Sequence, residues 1–127
     1  MRLLVLFFIP LLFTESNAAT HANPSPTALH KSFSTCHIAF NESGNEYIYK
    51  QCKDLVFEEY DRQIKLNREI KHHQNPKKWN NFLNSTLSNK ETCYKAAQQT
   101  KKNHTLLKDL TMCDFIFNVA LLSKASD

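Results

Sequence analysis

The sequence contains a single glycine in 127 residues, and this scarcity excludes most all-β architectures. A sandwich or barrel needs many tight turns, and glycine and asparagine are the main sources of the positive φ angles in such turns. The alternation of β-branched and polar residues that marks half-buried strands is also missing. Instead, apolar residues recur every three to four positions in segments rich in Lys, Glu, Leu, Gln and Ala. The sequence therefore predicts an all-α protein.

The sequence also lacks the short motifs that mark common catalytic and metal sites. It has no HExxH, GxSxG or CxxC motif and no glycine-rich phosphate loop. No carboxylate is spaced to orient His30 or His37, and the His72-His73 pair ends a predicted helix, where a cation interacts well with the helix dipole. We therefore expect no enzyme, metal site or cofactor. The alternative is a dyad of distant histidines and lysines, as in a small secreted ribonuclease.

The charge distribution favours an ordinary solvated surface. Sixteen basic and 12 acidic side chains give a net charge of +4, and the two signs are interspersed along the chain. Basic doublets occur at residues 77–78 and 101–102, without a longer run. This pattern indicates binding to neither nucleic acid nor membrane.

The amino terminus predicts a secretory signal peptide over residues 1–18. A basic start at Arg2 precedes an apolar run over residues 3–13, and Ser16 and Ala18 supply the small residues that a signal peptidase needs. The run is shorter than the roughly 20 residues that span a bilayer. We therefore expect a secreted, extracellular protein with a single helical domain over residues 19–127.

Capping and turn signals divide this domain into four to five predicted helices, which would form a small disulfide-linked bundle. A capping box over residues 88–91 leaves open whether the third segment is one kinked helix or two short ones. The other signals are Ser25-Pro26, Gly44-Asn45, Asn75-Pro76 and residues 103–105.

Helical spacing also predicts which side chains are buried. The predicted buried stripe of the second helix contains Ile48, Cys52, Leu55, Val56, Tyr60, Ile64 and Ile70. In the last helix, Ile116, Val119 and Leu122 widen the apolar face beyond what one neighbouring helix would cover.

The four cysteines predict two disulfides in a secreted chain. Cys36 and Cys52 are each eight residues from Gly44, and Cys93 and Cys113 are each ten from residue 103. Residues equidistant from the turn of a helical hairpin lie at the same height, which favours pairing 36 with 52 and 93 with 113. A nested pairing stays open, because Cys52 and Cys93 are about equally far from the turn at residue 75.

Three glycosylation sequons occur in the chain, at Asn41, Asn84 and Asn103. Two of them fall at predicted turns, and the sequon at Asn84 lies within the third predicted helix. We expect at least one of the three to carry a glycan.

Aromatic residues are numerous for a thin helical bundle. At helical spacing they are core residues first, and an excess would line an apolar pocket. The candidates for such a ligand-binding pocket are Phe33, Phe40, Trp79, Phe82, Phe115 and Phe117.

The cysteine spacing resembles that of the insect odorant-binding protein family, in its members with two of six cysteines lost. Forty residues separate Cys52 from Cys93 and nineteen separate Cys93 from Cys113, similar to gaps in that family. Ile48 and His104 stand where the two missing cysteines would be. Only fifteen residues separate Cys36 from Cys52, which is shorter than in the family and leaves no room for one of its helices. The resemblance implies a helical carrier of small apolar ligands.

Two functional hypotheses follow from the sequence. The first is a secreted, non-enzymatic binding protein for a small hydrophobic ligand, as the resemblance and the aromatic residues suggest. The second is a secreted helical protein that binds an extracellular protein partner, as a receptor ligand or secreted effector, through an exposed apolar patch at Ile116, Val119 and Leu122.

Overall fold

The computed structural model describes residues 24–100 and 103–127, so the predicted signal peptide lies outside the described residues. The described part of the chain contains no strand and four α-helices. These helices are α1 (Pro26–Ser43), α2 (Glu46–Lys71), α3 (Pro76–Thr100) and α4 (Asn103–Ser126). The prediction of a small all-α bundle is confirmed.

The first helix boundaries lie where the sequence signals place them. The Ser25 side chain accepts a hydrogen bond from the Ala28 N–H at 3.1 Å, and Pro26 occupies the first turn. Gly44 ends α1 with a φ of 68°, a left-handed conformation in which a side chain would be strained. Asn45 then caps α2 through its side-chain oxygen.

The third segment is a single helix, which decides between the two forms left open by the capping box. α3 continues through residues 88–91 without a break. Its two halves both contact α4, through the Phe82 ring beside Lys124 and through the bond between Cys93 and Cys113. This tertiary packing keeps the helix continuous, although Ser88 and Glu91 are able to cap a new start.

α4 is the central helix of the bundle. It packs against α2 and against α3, while α1 packs against α2. α1 also reaches α4, since the Phe33 and Phe115 rings stack with centroids 4.1 Å apart. Because α4 has neighbours on several sides, its apolar residues are spread around its circumference instead of forming one face.

Contacts between α2 and α4 show that these helices run in the same direction. Tyr60 lies beside Phe115, and twelve residues further along α2 the His72 ring contacts the Lys124 carbonyl oxygen at 2.9 Å. Lys71 also donates to the Ser126 carbonyl oxygen at 2.6 Å. The carboxyl-terminal ends of α2 and α4 are therefore tied together.

The core forms where α1, α2 and α4 meet, and it extends to the start of α3. Two of its members, Tyr49 and Tyr60, are among the largest fully buried side chains. The buried cluster comprises Leu29, Phe33, Cys36, Phe40, Tyr49, Val56, Tyr60, Ile64, Trp79, Leu121, Leu122 and Ala125.

Two disulfides join the helices in the pairing that the turn distances favoured. Cys36 binds Cys52 across the α1–α2 turn, and Cys93 binds Cys113 across the α3–α4 turn, with Cα atoms 5.7 and 5.8 Å apart. The nested alternative is therefore excluded in this structure. Closing each short loop stabilises the fold by about 3 kcal/mol in the chain-entropy picture.

The predicted buried stripe of α2 is wrong at three positions. Ile48, Leu55 and Ile70 are exposed, at 52%, 47% and 64% of their surface. The neighbours of α2 cover a face that lies about 100° around the helix, where Tyr49 and Val56 are buried. α3, which the chain order places next to α2, packs along α4 instead.

No helix within residues 24–100 and 103–127 is long and apolar enough to cross a membrane.

Candidate functional site

The aromatic residues predicted to line a ligand pocket lie in more than one place. Phe33 and Phe115 stack in the main core, where Phe57 lies against the Phe33 ring with a centroid distance of 5.7 Å. Phe40 stacks on Tyr49 at 4.5 Å. In this group, aromatic side chains cover one another, and their contacts are those of a packed core.

The remaining predicted pocket residues lie along α3 and α4. The buried Trp79 ring is 6.2 Å from Phe82, whose ring faces the Lys124 ammonium at 5.5 Å. The Lys90 ammonium lies 4.1 Å above the centre of the Phe117 ring. The basic side chains cover these rings through cation–π contacts. The structure therefore does not bring the six predicted residues around one space.

A cleft of about 250 Å³ opens to solvent at the turn between α2 and α3. Trp79 is the one predicted ligand residue that contributes to it, and five of the six other lining residues have polar side chains. Its lining residues are Arg68, Glu69, His72, His73, Pro76, Trp79 and Asn80. The cleft is smaller than the roughly 300–1,000 Å³ of typical small-molecule pockets.

His72 has a structural contact within this region. Its Nε2 atom lies 2.9 Å from the Lys124 carbonyl oxygen, which requires Nε2 to carry the proton and donate. Its ring also lies 5.4 Å from the Trp79 ring. His72 therefore holds the end of α2 against α4 and supports the buried tryptophan.

Two polar pairs inside the bundle were not evident from the sequence. Tyr49 and His37 share a hydrogen bond of 3.1 Å between Oη and Nδ1. Burial lowers the pKa of His37, with the nearby Lys108 adding to the effect, and burial raises the pKa of Tyr49. The neutral form of each ring is therefore favoured, as expected for groups that link α1 to α2 within the packed bundle.

The second pair joins α3 to α4. The Tyr94 hydroxyl donates to an Asp114 carboxylate oxygen, and Lys90 lies 3.9 Å from the same carboxylate. Burial, together with the bond to Asp114, raises the pKa of Tyr94 to about 12. Because these residues are far apart in sequence, only helix packing brings them together. Within the described residues, no group of three or more His, Cys, Asp or Glu side chains is placed to hold a metal ion.

Exposed apolar side chains are concentrated on α2. Of the nine large apolar residues that are exposed in the described part of the chain, five belong to this helix. Four of the five form a line along its solvent-facing side, which we name the α2 outer stripe: Ile48, Leu55, Leu66 and Ile70.

Helical geometry places these four residues on one face. Ile48 and Leu66 are 18 residues apart, which is five full turns. Leu55 lies within about 20° of that line and Ile70 within about 40°. A single exposed apolar residue is ordinary, whereas an aligned set is typical of an interaction surface.

Glu59 and Arg62 lie in the middle of the same face and form an ion pair. The Arg62 Nε atom donates to Glu59 Oε1 at 3.1 Å, and the Nη2 atom lies 2.5 Å from Oε2. Burial alone would raise the pKa of Glu59, but the hydrogen bonds from Arg62 and Gln63 lower it overall. The centre of the α2 outer stripe thus carries a charged pair at neutral pH.

The prediction of an exposed apolar patch on the last helix is wrong. Ile116 is 57% exposed, but Leu122 is 3% exposed and Val119 packs partly buried against the core. Leu122 is covered because α4 is the central helix of the bundle, with neighbours on several sides. The aligned set of exposed apolar side chains lies on α2 instead.

The predicted glycosylation sites on α1 and α3 are accessible. Asn41 is exposed, and its Oδ1 atom accepts a hydrogen bond of 2.6 Å from Lys108, so its Nδ2 atom is not used in this bond. Asn84 is exposed on α3. The side chain of Asn103 lies outside the described residues. The sequence of α2, the helix that carries the outer stripe, contains no sequon.

Comparison with known proteins assigns the chain to no family. No protein-family model matches the sequence, and neither a curated protein nor a solved structure is significantly similar to it.

Proposed function

We propose that this chain is a secreted, non-enzymatic protein that acts by binding another protein through the α2 outer stripe. The observation that carries the proposal is the alignment of four exposed apolar side chains on one helix. Their exposure costs free energy in water, and a partner surface that covers them recovers about 25 cal/mol per Å² of apolar area. Secretion is supported by the amino-terminal pattern and by the two disulfides, which persist in oxidising compartments.

The carrier hypothesis has less support from the geometry. A carrier needs space beside its aromatic side chains, but Phe33, Phe40 and Phe115 use their ring faces in contacts with other rings. The hypothesis stays a prediction, and displacement of the apolar fluorescent probe N-phenyl-1-naphthylamine tests it. Binding of this probe at micromolar concentration, unaffected by substitutions in the α2 outer stripe, would favour the carrier over our proposal.

Site-specific photo-crosslinking tests the proposed surface directly. A benzophenone side chain replaces Leu66 in the α2 outer stripe or, as the control, the exposed Leu87 on α3. Irradiation in the native extracellular fluid should give a covalent protein adduct from position 66 and not from position 87. The further change Leu55→Asp should abolish the adduct, because it places a carboxylate in the apolar contact. Equal adducts from both positions, or no adduct from position 66, would contradict the proposal.

A further inference from the structure

We propose that the α2 outer stripe binds a second copy of this chain, with the two α2 helices antiparallel about a twofold axis. The inference rests on the proposed function, in that it names the partner of the same surface. It is carried by the order of apolar and charged side chains along the stripe, which is self-complementary.

The central part of the stripe reads apolar, acidic, basic, apolar. Leu55 and Leu66 are equidistant from the midpoint between residues 60 and 61, and so are Glu59 and Arg62. Two antiparallel copies related by a twofold axis at this midpoint place Leu55 opposite the second copy's Leu66. The same operation places Glu59 opposite the second copy's Arg62. A twofold interface requires this kind of self-complementarity: if one residue contacts a second residue of the other copy, the second residue of the first copy makes the same contact in return.

Ile48 and Ile70, at the two ends of the stripe, extend the apolar contact between the two helices. The twofold operation places Ile48 opposite residue 73 of the second copy. Residue 73 is about one helical turn beyond Ile70 of that copy. Both isoleucines are exposed, so each is free to pack against the other across the seam. From residue 48 to residue 70 the seam is about 33 Å long, at about 1.5 Å per residue.

The charged pair at the centre is compatible with burial in such a seam. Glu59 and Arg62 already form two hydrogen-bonded contacts within one chain. In the dimer, each carboxylate lies between its own arginine and that of the second copy, so that no charge loses its partner when water is excluded. A buried charge is tolerated under this condition and is strongly unfavourable when it is left unpaired.

The described part of the bundle leaves the four apolar side chains of the stripe exposed. α3 packs along α4 instead of covering α2, and the buried residues Tyr49 and Val56 of α2 lie about 80–100° around the helix from the Ile48–Leu66 line. The three sequons lie outside α2, and the Asn41 side chain is directed to Lys108 on α4. No sequon therefore lies on the helix that forms the seam.

Sedimentation equilibrium of the oxidised protein, over a dilution series in the micromolar range, tests the inference. The wild-type chain should approach twice the monomer mass. Each single charge reversal, Glu59→Arg or Arg62→Glu, should raise the dissociation constant about tenfold or more, because the symmetry places the new like-charge contact in the seam twice. Glu58→Arg is the matched control, since this neighbouring exposed residue undergoes the same charge change about 100° away from Glu59.

A mixing experiment separates the interface from effects within one chain. An equimolar mixture of the Glu59→Arg and Arg62→Glu variants should form a heterodimer with near wild-type affinity, because each new charge then faces its opposite. Damage to the fold of either variant cannot be repaired by mixing, so this rescue is specific to the seam. Circular dichroism of each variant confirms that the helices are intact.

The possible results separate this inference from the proposed function. A wild-type chain that stays monomeric throughout, or single variants that dimerise like the wild type, would overturn the twofold α2 contact. If the photo-crosslinker at Leu66 then captures a different protein, the proposed function stands and only the second copy is rejected as partner. Absence of both a dimer and a crosslinked protein would reject the inference and the proposed function together.

Discussion

Tyr60 offers a sharp test of how the core is packed. Its side chain is buried, and its hydroxyl has no hydrogen-bond partner among the described residues. Leaving a buried polar group unsatisfied costs about 1–3 kcal/mol. The substitution Tyr60→Phe removes that cost and leaves a void of one oxygen atom, which offsets part of the gain. We therefore expect Tyr60→Phe to raise the free energy of unfolding by about 1 kcal/mol.

The pH dependence of this difference provides an independent check. Burial raises the pKa of Tyr60 to about 12, whereas a tyrosine in the unfolded chain ionises near 10. The unfolded state therefore loses its proton first, and the wild-type chain loses stability between about pH 10 and pH 12. Tyr60→Phe lacks this loss, so its advantage should grow over that range by up to roughly 3 kcal/mol. Tyr94 titrates in both proteins and cancels in the difference.

Urea unfolding of the wild-type and Tyr60→Phe proteins, followed by circular dichroism from pH 7 to pH 11, measures both effects. Tyr47→Phe is the control, because the Tyr47 ring is exposed and its change should stay within about 0.5 kcal/mol. A decrease of about 1 kcal/mol or more in Tyr60→Phe at pH 7 would refute the reasoning, since it would mean that the hydroxyl makes a stabilising bond.

Three further changes test other parts of the fold. Replacing Cys93 and Cys113 together by alanine should lower the free energy of unfolding by about 3 kcal/mol in urea titrations; no change would contradict the loop-closure account. Phe33→Ala should lower the free energy of unfolding by about 3–5 kcal/mol in the same assay, because Phe33 is buried. Ile38→Ala, at an exposed position, should lower it by less than about 0.5 kcal/mol. Similar values for the two variants would disprove the assigned core. Gly44→Ala should lower stability by about 1–2 kcal/mol in thermal unfolding. Backbone strain is the cause, because in the described structure no atom beyond the two chain neighbours lies within 4 Å of the added methyl group. An unchanged unfolding midpoint would argue against the left-handed turn.

The helical class and most helix ends followed from the sequence, which also favoured the observed disulfide pairing. These features depend on local information, such as the three-to-four residue spacing and the capping groups at Ser25, Gly44 and Asn45. The distance of each cysteine from a nearby turn favoured the observed pairing, because antiparallel helices joined by a short turn fix the relative height of their residues. The nested pairing met the same condition at residue 75, and only the structure excluded it.

Which sides of the helices are covered depends on the tertiary packing. Ile48, Leu55 and Ile70 fit a buried pattern in the sequence, yet they are exposed because α3 packs along α4 and not along α2. Leu122 was expected at the surface and is buried because α4 lies at the centre. Periodicity shows that a helix has an apolar face, but the rotation and order of helices around one another depend on how all the side chains pack together. The α2 outer stripe is for that reason a property of the fold and not of the local sequence.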